Sequence, residues 1–248
     1  MNRYLVPLGF VAALVIAVTL WLNMPLLIGE QYGEQLQKAG FLVPALIMLL
    51  ILQISFVIER MMSLQKASGR GSMPDFLKNV RTKLKAGDLQ GAMDLCGKQR
   101  GSAANVLRAG LERYARVKAE GAPKDKIVAE TQAAIQEASG LETPLLERNL
   151  IALSTIASIS TMVGLLGTVM GMIRSFAALG TSGAVDASKL AIGISEALIN
   201  TAGGLFVAIL GIVMYNVFVT RVDSFNYMMD EASYEVLQHL AGSAADQH

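Results

Sequence analysis

Apolar residues are gathered into four long runs along this chain, at residues 4–22, 41–58, 150–179 and 190–219. A helix needs about 20 mostly apolar residues to cross the hydrocarbon of a bilayer, so the first two runs are each close to one span. The last two are longer, and at about 1.5 Å per residue they are expected to project beyond the bilayer. The pattern predicts an all-α membrane protein with long transmembrane helices.

The segment between the second and third runs has a different pattern, in which apolar residues return every three or four positions, as in amphipathic helices. Four such helices are predicted to begin near Ser72, Asp88, Ser102 and Pro123. No strand pattern occurs in this segment. We therefore expect the membrane helices to extend into a small helical bundle outside the membrane.

These patterns predict five segments. They are an N-terminal transmembrane helix in residues 1–28, a second in 40–62, a helical domain in 63–148, two long transmembrane helices in 149–220, and a tail in 221–248. The first run also resembles a signal peptide, but no small-x-small cleavage site follows it. An uncleaved helix is favoured, and the sequence leaves open whether it is retained.

Charge predicts the orientation of these segments. Only 17% of the residues are charged, against about 25% in soluble domains. Residues 59–148 hold 16 of the 21 Lys and Arg residues and 11 acids, so this segment is expected to be cytoplasmic and the chain multi-pass. The basic residues are interleaved with acids, which argues against a nucleic-acid partner.

Glu196 is the only charged residue in the run 190–219. An ionised carboxylate in hydrocarbon costs at least about 2.5 kcal/mol, so this side chain must be neutral, partnered or in contact with water. An acid in such a place is by default a candidate for moving a proton or a cation. The alternative is a packing role, with the carboxyl protonated or bonded to a neighbouring helix.

Hydroxyl side chains recur every seven residues in the third run, and small side chains recur beside them. The hydroxyl stripe consists of Ser154, Thr161, Thr168 and Ser175, and the small stripe of Ala157, Gly164, Gly171 and Ala178. A seven-residue interval returns close to the same face of a helix. The stripes predict a small, polar helix face, which serves either an ion pathway or plain packing with each hydroxyl bonded to its own helix.

The fourth run has a matching small-residue face, formed by Gly193, Ala197, Thr201, Gly204, Ala208 and Gly211, with Asn200 beside it. Glu196 lies about 140° around the helix from Thr201. We therefore expect one of these two side chains to face a pore and the other a helix–helix boundary, and the sequence leaves open which. Arg60 and Arg174, near the ends of runs, are expected to anchor at the membrane interface.

No catalytic or metal-binding pattern occurs in the sequence. Cys96 is the only cysteine, and the two histidines, His239 and His248, lie near the C-terminus. No nucleophile with a base, phosphate-binding loop or metal-ligand spacing is found. We expect no enzyme activity, no cofactor and no metal.

Three motifs resemble the MotA/TolQ/ExbB family of proton channels, and most closely its ExbB branch. They are GLLGTVMGM at 164–172, ISEAL at 194–198 followed by Thr201-Ala202, and Tyr215-Asn216. The resemblance implies a bacterial inner-membrane protein with the large loop in the cytoplasm. It also implies a ring, a pentamer in the family, around an ExbD/TolR-like partner that has one span and a membrane aspartate. The residues that match the family's ion pathway are Glu196, Thr168 and Thr201, and further pore-lining candidates are Thr161, Asn200, Ser175 and Ser154.

The function implied by the resemblance is that of an ExbB-like subunit of a proton-driven motor, which works on a TonB-like energy transducer for outer-membrane transport. A TolQ-like or other stator subunit for envelope integrity or motility is an alternative, and so is a non-conducting membrane scaffold. The choice between proton and sodium, the energised system and the number of subunits stay open.

Overall fold

The computed structural model describes residues 5–38, 40–181 and 187–243. His248 and part of the predicted connection between the last two spans lie outside the described residues. Every element in the described ranges is an α-helix, which confirms the all-α prediction. The helices are α1 (Leu5–Leu22), α2 (Met24–Ile28), α3 (Glu30–Lys38), α4 (Leu42–Ala67), α5 (Met73–Lys85), α6 (Leu89–Gln99), α7 (Ser102–Ala119), α8 (Lys124–Glu147), α9 (Leu150–Thr181) and α10 (Ala187–Ser243).

Three helical stretches are long and apolar enough, by length and composition, to cross a membrane: Leu42–Ala67, Lys124–Ala177 and Ser188–Leu240. They contain three of the four predicted spans. The remaining predicted span, at residues 4–22, corresponds to α1, whose apolar part Gly9–Leu22 is shorter than the other three. The N-terminal span therefore stays a prediction, as does assembly into a ring.

The chain forms two compact units. Unit 1 contains residues 1–59 and 149–217, and unit 2 contains residues 60–148 and 218–248, so the boundary falls inside both α4 and α10. In unit 1, α4, α9 and α10 pack together around Leu49, Ile156 and Val207.

The N-terminal helices of unit 1 are joined by a cap. The Gln37 side-chain Nε2 in α3 donates to the carbonyls of Trp21 and Leu22, at 3.1 and 3.0 Å. These carbonyls belong to the last turn of α1, where the helix itself offers no donor. The cap therefore satisfies the end of α1.

Unit 2 has a core of large apolar side chains. The predicted stripe of α5 contributes Phe76, Val80 and Leu84, and α7 contributes Leu107 and Leu111, which are both fully buried. The last part of α10 completes this core with Ala232, Val236 and Leu240. The four predicted helices are thus present as α5 to α8, and residues assigned to a tail by the sequence belong to the same core.

Local chemistry explains how the helices of unit 2 begin and end. The Asp88 carboxylate accepts a hydrogen bond of 2.8 Å from the backbone N–H of Gly91, which confirms the predicted cap of α6. The buried Arg60 guanidinium donates to the carbonyl of Leu146 in the last turn of α8, at 3.3 Å. The expectation that Arg60 anchors at a membrane surface is therefore wrong, because only 1% of this residue is exposed.

Candidate ion pathway

The small residues of α9 and α10 pack directly against each other in unit 1, and we call this contact the seam. A Cβ atom added at Gly164 would lie 3.1 Å from the Cα of Gly204, and one added at Gly171 would lie 2.9 Å from the Cβ of Ala197. Further along, one added at Gly211 would lie 2.8 Å from the Cβ of Ala157. Such close approach of two backbones is possible only with small side chains, as the sequence predicted.

The seam holds an amide in its interior. Asn200 is 1% exposed, and its Nδ2 donates to the backbone carbonyl of Glu196 at 3.0 Å. A Cβ added at Gly167 would come within 2.7 Å of the Asn200 Cγ. Glycine at position 167 therefore provides the space in which this amide is buried.

The hydroxyls of Thr168 and Thr201 contact each other across the seam. Each hydroxyl also lies within hydrogen-bond distance of the Gly164 carbonyl oxygen, at 3.4 Å from Thr168 and 3.3 Å from Thr201. Because a hydroxyl has one proton, one member of the pair can donate to this carbonyl while the other donates across the seam. Both residues are half-buried. The structure thus brings together two of the three residues that the sequence singled out for ion movement.

The third, Glu196, forms an ion pair with Arg174 of α9. The distance from Arg174 Nη1 to Glu196 Oε1 is 2.5 Å, and the two side chains are 44% and 7% exposed. Arg174 therefore does not act only as an anchor at the interface, which corrects the sequence-based expectation. Both residues of α10 contact α9 within the protomer. Thr201 contacts Thr168, and Glu196 contacts Arg174, whose long side chain spans the angle that separates Glu196 from Thr201 on α10.

The other hydroxyl candidates differ in their surroundings. Ser175 is fully buried, and its Oγ donates to the carbonyls of Gly171 and Leu190 at 3.1 and 3.4 Å. Ser154 and Thr161 donate to carbonyls of their own helix, at 3.1 and 3.2 Å. A pore-lining role for these three residues and for Asn200 stays a prediction. The side chain of Ala178, which belongs to the small stripe, is not among the side chains that the structure describes.

Sequence reasoning missed Gln53 of α4. This side chain is fully buried, and neither its Nε2 nor its Oε1 has a hydrogen-bond partner among the residues that the structure describes. A Cβ added at Gly211 would lie 2.9 Å from the Gln53 Nε2, so the amide lies against the seam. The available signal was an amide inside the apolar run 41–58. Among residues 5–38, 40–181 and 187–243, no three His, Cys, Asp or Glu side chains form a group that could hold a metal.

Two apolar helices joined by a seam that contains hydroxyl, amide and carboxylate groups define an all-α membrane protein with polar chemistry between its spans. Residues 98–231 match the MotA/TolQ/ExbB proton channel family. The match covers more than half of the chain, and the chain belongs to this family.

The relatives that the chain matches include proteins named TolQ and proteins named ExbB or ExbB-like. The chain is 38% identical over 117 residues to the Tol-Pal system protein TolQ of Pseudomonas aeruginosa, covering 47% of this chain and 51% of that protein. It is 44% identical over 91 residues to the putative biopolymer transport protein ExbB-like 3 of Synechocystis, covering 36% and 43%. It is 39% identical over 85 residues to the biopolymer transport protein ExbB of Salmonella typhimurium, covering 34% and 35%. The chain thus matches about a third to a half of the length of these relatives.

Proposed function

We propose that this chain is an ExbB-like subunit of a proton-driven motor in the bacterial inner membrane, which couples the ion gradient to TonB-dependent outer-membrane transport. Glu196, Thr168 and Thr201 form its ion pathway. The observation that carries this proposal is the contact of the Thr168 and Thr201 hydroxyls inside the seam, in a chain that belongs to a proton channel family. Hydroxyl groups both donate and accept, so a pair in contact can pass a proton.

Other helices are needed to complete such a motor. The faces of α9 and α10 that point away from the seam expose large apolar side chains, including Val169, Ile173, Leu198, Phe206 and Ile209. In a membrane, lipid or further helices cover such faces. We propose a homopentameric ring around an ExbD/TolR-like partner with one span and a membrane aspartate, which then acts on a TonB-like transducer.

The energy of one ion suits a small mechanical step. Moving one elementary charge through a potential of about 100 mV releases about 2.3 kcal/mol. A ring with several equivalent sites divides the work into steps of this size. The proposal therefore assigns Glu196 and the threonine pair one such step in each subunit.

The test measures ion-driven uptake in cells in which the full chain replaces the native motor subunit. Glu196→Gln keeps hydrogen bonding and removes titration, and Thr168→Val keeps shape and removes the hydroxyl, so both variants are expected to lose most uptake. Thr155→Val is the matched control, because the exposed Thr155 hydroxyl bonds to the Ile151 carbonyl of its own helix at 2.7 Å. All variants are first checked for assembly with the partner.

The same experiment tests the non-conducting scaffold. A scaffold that holds its partner through a hydrogen bond to Glu196 would work with glutamine at this position. Normal uptake with assembled Glu196→Gln would therefore overturn the proposed ion pathway.

A TolQ-like role in the Tol-Pal system is the second candidate. It is favoured by the longer matches to proteins of that name, over 117 and 121 residues, against 85 residues for ExbB of Salmonella typhimurium. Cells that lack either system distinguish the two roles. Restored TonB-dependent uptake supports the ExbB-like role, and restored resistance to detergent, without uptake, supports the TolQ-like role.

A further inference from the structure

The ion pair of Glu196 is unequal in its exposure. The carboxylate side chain is 7% exposed, whereas the Arg174 side chain is 44% exposed. The guanidinium can thus leave the pair by turning towards the surface, where a long cationic side chain is stable. The carboxylate is the buried member of the pair, and the neighbouring residue Ala197 is packed against Gly171 in the seam.

A second element closes over the same pair. Gly40, between α3 and α4, has a φ of +90°, and a Cβ added there would collide with the Glu196 Oε1 and lie 3.2 Å from the Arg174 Nη1. The backbone of this connection therefore lies directly against the carboxylate. Glycine is required here both for the backbone conformation and for the close approach.

A guanidinium that contacts a carboxylate stabilises the charge of the carboxylate through charge-assisted hydrogen bonds. Arginine stays protonated in proteins, so the positive charge of the pair is permanent. An ionised acid among apolar helices is stable only while such a partner is in place. Arg174 is the charged partner that the Glu196 carboxylate contacts, and loss of Arg174 leaves a buried carboxyl group that must be neutral or reach water.

We propose that Arg174 is a positioning residue that controls when Glu196 can accept a proton. With Arg174 in contact, the Glu196 carboxylate is paired with the guanidinium and closed to other partners. With Arg174 turned to the surface, Glu196 becomes a proton acceptor inside the seam. The functional meaning of this control rests on the proposed ion pathway, but the control itself can be measured without any uptake assay.

The measurement uses dicyclohexylcarbodiimide on native membranes that contain the full chain and its partners. The reagent adds to a protonated carboxyl group in apolar surroundings. The acid proton moves to a reagent nitrogen, the carboxyl oxygen bonds to the central carbon, and the acyl group then migrates to nitrogen without loss of any atom. Mass spectrometry of the peptide with Glu196 gives the labelled fraction at one fixed, neutral pH.

We expect Arg174→Gln to raise the labelling of Glu196 several-fold above the wild-type level. Lys189→Gln is the matched control, because it removes an exposed cation from the same end of unit 1, and it is expected to label as the wild type does. Gly40→Ala acts on the pair from the other side and should also raise labelling. It decides the question if Arg174→Gln does not reach the membrane.

The role of Arg174 would be overturned if Glu196 in Arg174→Gln were labelled only as much as in the wild type and in Lys189→Gln. If Arg174→Gln does not reach the membrane, the same result in Gly40→Ala would overturn it. The proposed function fails by a different result, which is normal uptake with Glu196→Gln. The two outcomes are therefore distinguishable in one set of strains.

Discussion

The seam of unit 1 and the core of unit 2 are built in opposite ways. In the seam, backbones touch through glycine and alanine, and polar groups such as Asn200 and the threonine pair lie inside. In unit 2, large side chains such as Leu107 and Leu111 fill the interior. Lipid tails are as apolar as leucine, so helices in a membrane gain little from burying large apolar groups and associate through close packing and hydrogen bonds. The sequence predicts unit 2 outside the membrane, where water drives the burial of large apolar side chains.

This difference predicts opposite sensitivities to side-chain volume. Unit 2 is expected to suffer most from lost volume, and the seam from added volume. The predictions below test that contrast, and the largest effect is expected in unit 2.

Leu107→Ala should destabilise unit 2 by about 2–5 kcal/mol, because Leu107 is fully buried and the substitution leaves a cavity. Thermal unfolding of the purified full chain measures the effect. The control is Leu141→Ala in α8, where the side chain is 68% exposed, and it should stay within about 0.5 kcal/mol of the wild type. Equal losses in both variants would contradict a core centred on Leu107.

Gly204→Ala should destabilise the seam by about 1–3 kcal/mol through overpacking. The new methyl carbon would lie 2.5 Å from the Ser160 carbonyl oxygen and 2.8 Å from the Gly164 Cα, which are backbone atoms that cannot turn aside. The yield of folded protein extracted from membranes measures this loss.

Gly203→Ala is the matched control for this substitution. Its methyl carbon would meet only the end of the Leu46 side chain, at 3.3 Å, which can move. We expect nearly wild-type yield. If Gly203→Ala lowered the yield of folded protein as much as Gly204→Ala, the loss would come from replacing a glycine anywhere in this part of α10 and not from overpacking of the seam.

The smallest effect is expected at the surface of unit 2. The pKa of Asp88 is lowered by the hydrogen bond from Lys83 and by the backbone N–H of Gly91. A carboxyl whose pKa is lower in the folded state stabilises above its unfolded pKa, of about 3.9, and loses that contribution as the pH falls through the folded value. Unfolding midpoints of Asp88→Asn and the wild type should therefore differ at pH 7 and converge as the pH falls below about 4.

Asp94→Asn, in the same helix, is the control for this pH series. Asp94 accepts a 3.3 Å hydrogen bond from Gln90 and does not cap the helix. A difference between the wild type and Asp88→Asn that stays constant across this range would show that the Asp88 charge does not stabilise α6. Burial meanwhile raises the pKa of the Cys96 thiol to about 11, so this residue should not contribute to the series.

Much of the fold could be predicted because helices carry their pattern locally. The helix period placed Phe76, Val80 and Leu84 on one buried face, and Asp88 marked the start of α6. The seven-residue stripes likewise predicted that Gly164 and Gly171 lie in a helix contact. These inferences depend on neighbours within a few turns, so the sequence contains what they need.

The partners across helices could not be predicted in this way. The sequence presented Arg60 and Arg174 alike, as basic residues near the ends of apolar runs, yet Arg60 is buried against the end of α8 and Arg174 pairs with Glu196. The burial of Gln53 against the seam was also not predicted, because it too depends on how α4 packs against the other helices. Which groups meet depends on the register and rotation of one helix against another, and residue spacing within a helix does not specify them.

The sequence by itself thus determined an all-α membrane protein, the small-residue faces of α9 and α10 and the lone acid at position 196. Only the tertiary structure decided that Thr168 meets Thr201, that Arg174 holds Glu196 and that the end of α10 completes the core of unit 2. The physical reason is that periodicity fixes the face of each helix, whereas side-chain pairs form only when packing brings two distant segments to the same level.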